Sequence, residues 1–154
     1  MDKTKIRNLL SEHGMRITPQ RLAVVEALFS LRSHPTVEEV ASIVHKTQPN
    51  VATGTIYHIL ETLVKRGMVM KVKTESDVMR YDIFLDPHHH IYCTDCSSIE
   101  DYYNEELTRM LELYFEEHTI PGFTIDEVRL QISGRFEDPS KHRSIRVDRK
   151  SSIA

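Results

Sequence analysis

Histidines, carboxylates and both cysteines of the chain are concentrated in or beside the stretch Asp86–Cys96, which reads Asp-Pro-His-His-His-Ile-Tyr-Cys-Thr-Asp-Cys. Side chains alternate between the two faces of a β-strand, so His88 and His90 would project from the same face. Carboxylates flank the stretch at Asp82 and Asp101. Imidazole and carboxylate ligands together suit iron, manganese or zinc. The stretch therefore predicts a transition-metal site, although three consecutive histidines alone are equally compatible with a polar surface segment.

Charge is distributed unevenly along the chain of 154 residues, whose formal net charge is −3. Residues 1–80 contain 12 Lys and Arg against 8 Asp and Glu, a net charge of +4, whereas residues 81–139 contain 3 against 14, a net charge of −11. Residues 140–154 contain 5 against 1, a net charge of +4. A basic front half suits a polyanion such as nucleic acid, and an acidic middle favours cations. The two parts are expected to bind different partners.

Length and apolar content exclude several classes of protein. Hydrophobic residues make up 40% of the chain, which is enough for a core in one or two domains. No apolar run is long enough to cross a bilayer, and the first residues lack the apolar segment of a signal peptide. We therefore expect a cytoplasmic protein with no membrane partner. Two cysteines, Cys93 and Cys96, cannot form a disulfide framework for a chain of this size.

Helical periodicity predicts three or four helices in the first half of the chain. The last of them runs from about Thr53 to Arg66 and is followed by two alternating segments, Met68–Lys73 and Val78–Phe84, which predict a hairpin. Helices followed by a hairpin indicate a winged helix, in which the helix before the hairpin enters the DNA major groove.

The outward face of that helix carries groups that suit base edges and phosphates. These residues are Thr55, Tyr57, His58, Thr62 and Lys65. The helical pattern alone leaves a second interpretation open, in which this face is simply solvated.

The second half predicts a small α/β unit of three strands and one helix. Ile91–Cys93 and Ile99–Tyr102 are expected as short strands, Asn104 as the cap of a helix that ends near Glu117, and Phe123–Ser133 as a third strand. An apolar stripe on a helix of so small a domain needs a partner surface, so we expect a homodimer. Residues 140–154 are charged and patternless, which predicts a basic flexible tail.

Taken together, these residues resemble the ferric uptake regulator (Fur) family of metal-dependent bacterial repressors. The resemblance covers about residues 4 to 134, in the family's order and spacing. It is carried by Arg16-Ile-Thr-Pro-Gln-Arg21, Ser33-His34-Pro35-Thr36, Gly54-Thr55-Ile56-Tyr57, Arg80-Tyr81-Asp82, His88-His-His90 and Cys93-x-x-Cys96. It implies an α+β protein with a winged-helix DNA-binding domain at residues 1–82, a hinge at 83–87 and a small α/β dimerisation domain at 88–139, before the tail.

The resemblance also implies a regulatory metal site and a DNA surface. The family's metal ligands match His34, Asp82, His88, His90 and Asp101, which would hold Fe²⁺ or Mn²⁺, and Zn²⁺ can occupy such a site in a purified protein. The family's DNA is an AT-rich palindromic operator. Its contacts match Thr55 and Tyr57 in the major groove, with His58 beside them, and Arg16 in the minor groove.

Within the family the chain most resembles the peroxide-sensing branch, PerR, because aspartate rather than glutamate stands at Asp101. In that branch Fe²⁺ reacts with hydrogen peroxide and a ligand histidine is oxidised, which destroys the site. The candidates here are His34 and His88. An iron-responsive repressor of the Fur type is the alternative.

One departure from the family concerns zinc. Most relatives carry a second Cys-x-x-Cys that completes a Cys₄ zinc site, and here Phe136 and Pro139 stand at those positions. Two thiolates cannot close a tetrahedral zinc site alone. We therefore expect no structural zinc, with Cys93 and Cys96 as free thiols.

Two enzyme classes remain as alternatives: a thiol oxidoreductase using Cys93 and Cys96, and a metal-dependent hydrolase using His88, His90 and a carboxylate. The cysteines lie in a predicted turn rather than at a helix start, where a thiolate would be stabilised. If His34 completes a site of five ligands, no position is open for a catalytic water. We therefore expect a repressor and not an enzyme.

Overall fold

Four helices and a two-stranded hairpin form the first of two units into which the chain divides, Met1–Leu85 and Asp86–Ala154. The computed structural model describes residues 2–31, 34–74, 77–83 and 86–138, together with residues 145 and 146. Residues 84 and 85 of the predicted hinge, and most of the predicted tail at 140–154, lie outside the described residues.

The elements of the first unit match the predicted winged helix. The helices are α1 (Lys3–Glu12), α2 (Pro19–Leu31), α3 (Val37–Thr47) and α4 (Thr53–Lys65). The strands β1 (Met70–Lys73) and β2 (Met79–Asp82) pair antiparallel, with Lys71 opposite Tyr81.

Short-range hydrogen bonds determine where these helices begin and end. The hydroxyl of Thr18 accepts from the N–H of Arg21 at 3.3 Å at the start of α2, as expected of a helix cap. At the start of α3, Thr36 and Glu39 form a reciprocal capping box with distances of 3.2 and 2.8 Å. Just beyond α4, Gly67 has a φ of +70°, a left-handed conformation that glycine adopts without strain.

The core of the first unit is aliphatic, and α2 lies at its centre. This helix contacts α1, α3 and α4, so its buried residues surround more of the helix than a single stripe would. They are Ala23, Val24, Val25, Ala27 and Leu28. Leu22 and Phe29 are only half-buried.

A four-stranded sheet and one helix form the second unit. Its elements are β3 (His89–Cys93), β4 (Ile99–Tyr103), α5 (Glu105–Glu117), β5 (Gln131–Gly134) and β6 (Ile145–Arg146), and the strand order is β5-β3-β4-β6. Strands β3 and β4 are antiparallel, with His90 opposite Asp101. Strand β5 runs parallel to β3, and β6 runs parallel to β4.

The predicted strand Phe123–Ser133 is wrong in most of its length, because only Gln131–Gly134 forms a strand. The parallel register places Gln131 opposite His90. Residues before 130 would therefore need partners before His89, where no strand exists among the described residues. The alternating sequence pattern is present in this segment, but among the described residues no neighbouring strand is available to pair with it.

The short strand β6 lies inside the segment 140–154, which the sequence predicted to be a patternless tail. Ile145 pairs with Tyr102, and both residue types favour strands. The basic residues on either side interrupt any apolar pattern, so the sequence does not indicate a strand here.

Helix α5 exposes its apolar side chains. Asn104 caps it as predicted, accepting from the N–H of Leu107 at 3.0 Å, yet no residue of the helix is buried. Met110 and Tyr114 are 59% and 54% exposed. Apolar patches of this kind mark interaction surfaces. None of the helices formed by the described residues has the length and apolar character that a membrane span requires.

Replacing Thr36 with alanine removes the hydroxyl that accepts the N–H of Glu39. We expect the free energy of unfolding to fall by about 1 kcal/mol, measured by urea denaturation followed by circular dichroism. Thr4→Ala, in the exposed first turn of α1, is the control and should change it by less than about 0.5 kcal/mol. Equal losses in the two variants would contradict the stabilising role of the capping box.

Candidate metal centre

The first unit contributes two of the predicted ligands, His34 and Asp82, which we call the N-terminal pair. Both side chains are buried, with 5% and 2% of their surface exposed, and Nε2 of His34 lies 3.9 Å from Oδ2 of Asp82. His34 stands in the connection before α3, and Asp82 is the last residue of β2.

Strand β2 positions both members of this pair. Arg80 donates from Nη1 to the carbonyl of His34 at 2.7 Å, and the N–H of Tyr81 donates to the carbonyl of Pro35 at 3.0 Å. No sequence pattern indicates this role of Arg80, since only the pairing of the two segments shows what it contacts.

The second unit contributes the other three predicted ligands, His88, His90 and Asp101, which we call the C-terminal triad. The Nε2 atoms of His88 and His90 are 3.2 Å apart, and Nε2 of His88 is 3.3 Å from Oδ1 of Asp101. One ligand atom from each residue lies within 4.8 Å of the other two. All three side chains are buried.

The hydrogen bonds of His88 determine which of its ring nitrogens is available. Nδ1 lies 2.6 Å from the carbonyl oxygen of Asp86, and a carbonyl can only accept, so Nδ1 carries the proton. Nε2, which lies beside His90 and Asp101, is then the ring nitrogen that can bind a metal. A ligand histidine in a metal site commonly donates its other N–H to a carbonyl in this way.

His89 lies between two predicted ligands but faces the other side of β3. Its Nε2 lies 3.1 Å from the hydroxyl of Thr108, and its Nδ1 accepts from the N–H of Leu130 at 3.2 Å. Burial, the largest cause, lowers the pKa of His89 and keeps the ring neutral. The histidine therefore joins β3 to α5 and to the segment before β5, as the strand alternation predicts.

The two cysteines lie close together on the turn between β3 and β4. Cys93 is buried and Cys96 is exposed, and neither forms a disulfide. A hydrogen bond from Cys96 lowers the pKa of Cys93, assisted by backbone N–H groups that include that of Phe136. Pro139, the other residue at a relative's cysteine position, lies outside the described residues. The absence of structural zinc stays a prediction.

The residues predicted to contact DNA lie on the surface of the first unit. Thr55, Tyr57 and His58 are exposed on α4, and Arg16 is exposed shortly before α2. Nη1 of Arg21 donates to the carbonyl of Arg16 at 2.7 Å, which holds the backbone of that connection.

Four helices with a wing, followed by a small sheet that presents imidazole and carboxylate ligands, define the class of metal-responsive DNA-binding regulators. The model of the ferric uptake regulator family matches residues 12–133, and the chain belongs to this family. Its architecture is an N-terminal DNA-binding domain followed by a C-terminal dimerisation domain, and members of the family are transcriptional regulators rather than enzymes.

Individual relatives agree with this assignment. The peroxide operon regulator of Bacillus subtilis (strain 168) is 30% identical over 132 residues, which cover 86% of this chain and 89% of the relative. The structure of the ferric uptake regulator from Pseudomonas aeruginosa with manganese has a TM-score of 0.73 and 18% identity, covering 86% of this chain and 98% of the other. For the Campylobacter jejuni peroxide stress regulator the values are 0.68 and 23%, covering 90% and 99%.

Replacing His90 with alanine removes one imidazole from the C-terminal triad. We expect the Kd for Mn²⁺ to rise by at least about tenfold, because the loss of even an outer partner of a ligand weakens metal binding about 10–100-fold. The Kd is measured by competition with a fluorescent chelator. His118→Ala is the control, because that exposed ring stacks on Tyr114 at 4.3 Å, at the end of α5. Unchanged Mn²⁺ affinity in His90→Ala would exclude His90 as a ligand.

Proposed function

We propose that a single divalent ion, Fe²⁺ or Mn²⁺, binds the N-terminal pair and the C-terminal triad together and so controls DNA binding. The two candidate ligands of the first unit alone would hold an ion weakly, and the three of the second unit would leave coordination positions open, whereas all five together fill a site. Only residues 83–87 separate Asp82 from His88, so the chain itself keeps the two sets within about 20 Å. The mixture of nitrogen and oxygen ligands suits both ions.

In such a site, the free energy of metal binding stabilises one relative orientation of the DNA-binding and dimerisation domains. A ligand shifts a conformational equilibrium by its difference in affinity for the two states. An ion that needs all five ligands has a large difference, because any other orientation separates the two sets. The family's metal response then follows from geometry, without contact between the ion and DNA.

We propose that the DNA is an AT-rich palindrome read by a homodimer. The support is the exposed face of α4, formed by Thr55, Tyr57 and His58, and the exposed side chain of Arg16. Arginine suits the negative potential of a narrow AT-rich minor groove. The apolar side chains that α5 exposes would be covered by the second subunit, and two-fold symmetric proteins bind palindromic sites.

Metal removal tests this proposal directly. We expect the protein to retard an AT-rich palindromic duplex in a gel only when Mn²⁺ or Fe²⁺ is present, and to release it when EDTA is added. Excess Mn²⁺ should restore the complex, which separates chelation from denaturation. Retardation that is equally strong in EDTA would contradict metal control of DNA binding.

We further propose that the regulator senses hydrogen peroxide, the response for which the peroxide operon regulator and the peroxide stress regulator are named. The Fe²⁺-loaded site would react with peroxide to oxidise His34 or His88. In the net reaction one oxygen atom of hydrogen peroxide would be inserted into a ring C–H bond of the imidazole, which becomes C–OH, and the other oxygen would leave as water. Bound Fe²⁺ would supply the electron that cleaves the oxygen–oxygen bond and would recover it when the hydroxylated ring radical is oxidised. An oxidised imidazole is a poorer ligand, so the metal is lost and the operator is released.

Peroxide treatment of the Fe²⁺ form tests this chemistry. We expect loss of DNA binding together with a gain of about 16 Da, one oxygen atom, which fragmentation assigns to His34 or His88 rather than to a methionine. The Mn²⁺ form is the matched control and should keep both its mass at these histidines and its DNA binding. If the Fe²⁺ form also keeps both, the iron-responsive alternative is favoured instead.

A further inference from the structure

Strand β2 presents different side chains on its two faces. Because side chains alternate along a strand, Arg80 and Asp82 lie on one face and Tyr81 lies on the other. Asp82 belongs to the N-terminal pair, and Arg80 donates to the carbonyl of His34. The N–H of Tyr81 donates to the carbonyl of Pro35. The segment that carries His34 is therefore attached to β2 by two hydrogen bonds.

On the other face of β2, Tyr81 reaches the carboxylate of Glu61 on α4. The hydroxyl of Tyr81 donates to Oε1 of Glu61 at 3.2 Å, and Nζ of Lys71 donates to Oε2 at 2.8 Å. Lys71 and Tyr81 are opposite each other in the β1–β2 register, so both strands of the hairpin hold the same side chain. Glu61 lies about one helical turn after Tyr57 and His58, which are exposed on α4.

The charge of Glu61 favours these hydrogen bonds. The hydrogen bond from Lys71 is the main cause that lowers the pKa of Glu61, so this carboxylate is ionised at neutral pH. Hydrogen bonds with an ionised partner are stronger and more strictly directional than those between neutral groups.

We propose that Tyr81 and Glu61 are positioning residues that couple the metal centre to the recognition helix α4. The inference rests on the proposed function, since it needs DNA binding to depend on the metal. An ion that holds both Asp82 and His34 fixes β2, and the hydrogen bonds to the carboxylate of Glu61 extend that constraint to α4. Lys71 donates a second hydrogen bond to the same carboxylate, so both strands of the hairpin are attached to α4.

The test compares Tyr81→Phe with the wild-type protein, because this substitution removes one oxygen and keeps the buried ring. The DNA probe is a duplex recovered from a random-sequence pool by wild-type protein loaded with Mn²⁺. Its Kd is measured by fluorescence anisotropy in Mn²⁺ and in EDTA, and the ratio of the two values is the coupling factor. The Kd for Mn²⁺ is measured by chelator competition with and without the duplex.

In Tyr81→Phe we expect the coupling factor to fall about tenfold, as the loss of one hydrogen bond to a charged acceptor implies. Mn²⁺ affinity without DNA should stay within about twofold of wild type, and the tightening of Mn²⁺ binding by DNA should fall by the same factor as the coupling, because coupling is reciprocal. Glu61→Gln, a second variant, should reduce the coupling factor as well. Ser30→Ala is the control, because its hydroxyl donates within α2, and should leave the factor unchanged.

The possible outcomes separate the inference from the proposed function. If wild-type DNA binding does not respond to Mn²⁺, the proposed function is wrong and the inference falls with it. If the wild type responds and both variants keep the full coupling factor, only the inference is overturned. Equal weakening of DNA binding in Mn²⁺ and in EDTA would also overturn it, because that is the result of a purely structural role.

Discussion

The arrangement of candidate ligands depends on the alternation of side chains along two short strands. In and before β3 the alternation separates His88 and His90 from His89, whose ring is held by Thr108 and by the backbone of Leu130. In β2 it separates Asp82 from Tyr81. Each strand thus serves two purposes with adjacent residues: one face offers ligands, and the other holds the strand to its neighbours. A shift of one residue in either register would exchange these roles.

Because the candidate ligands are buried, the negative charge of their carboxylates needs compensation. Asp82 and Asp101 are almost completely removed from solvent, and a buried carboxylate is costly unless positive charge or hydrogen bonds offset it. Metal-binding histidines are neutral, so under the proposed function a divalent ion would supply positive charge to such a set. The charge distribution acts in the same direction, because the acidic residues 81–139 attract cations and the basic residues 1–80 attract the DNA backbone.

Much of this structure follows from local sequence, and the remainder depends on pairings that no short stretch encodes. Several helix ends are determined by contacts within a few residues, so they could be predicted; they involve Thr36 with Glu39, Thr18 with Pro19, and Gly67. The extent of β5 could not be predicted, because it depends on where β3 begins. The contact of Lys71 and Tyr81 with Glu61 was also not predictable, because it needs both the hairpin register and the placement of α4 against it. The types and spacing of His88, His90 and the flanking carboxylates predict a metal site, whereas His34 became a candidate ligand only through the resemblance, since it has no local pattern that marks it as one.

A crystal structure of the protein grown with Mn²⁺ tests the central claim most directly, because it shows which side chains share an ion. We expect one ion per chain, bound at once by His34, Asp82, His88, His90 and Asp101. An ion held by His88, His90 and Asp101 alone, with His34 and Asp82 outside the coordination sphere, would contradict it.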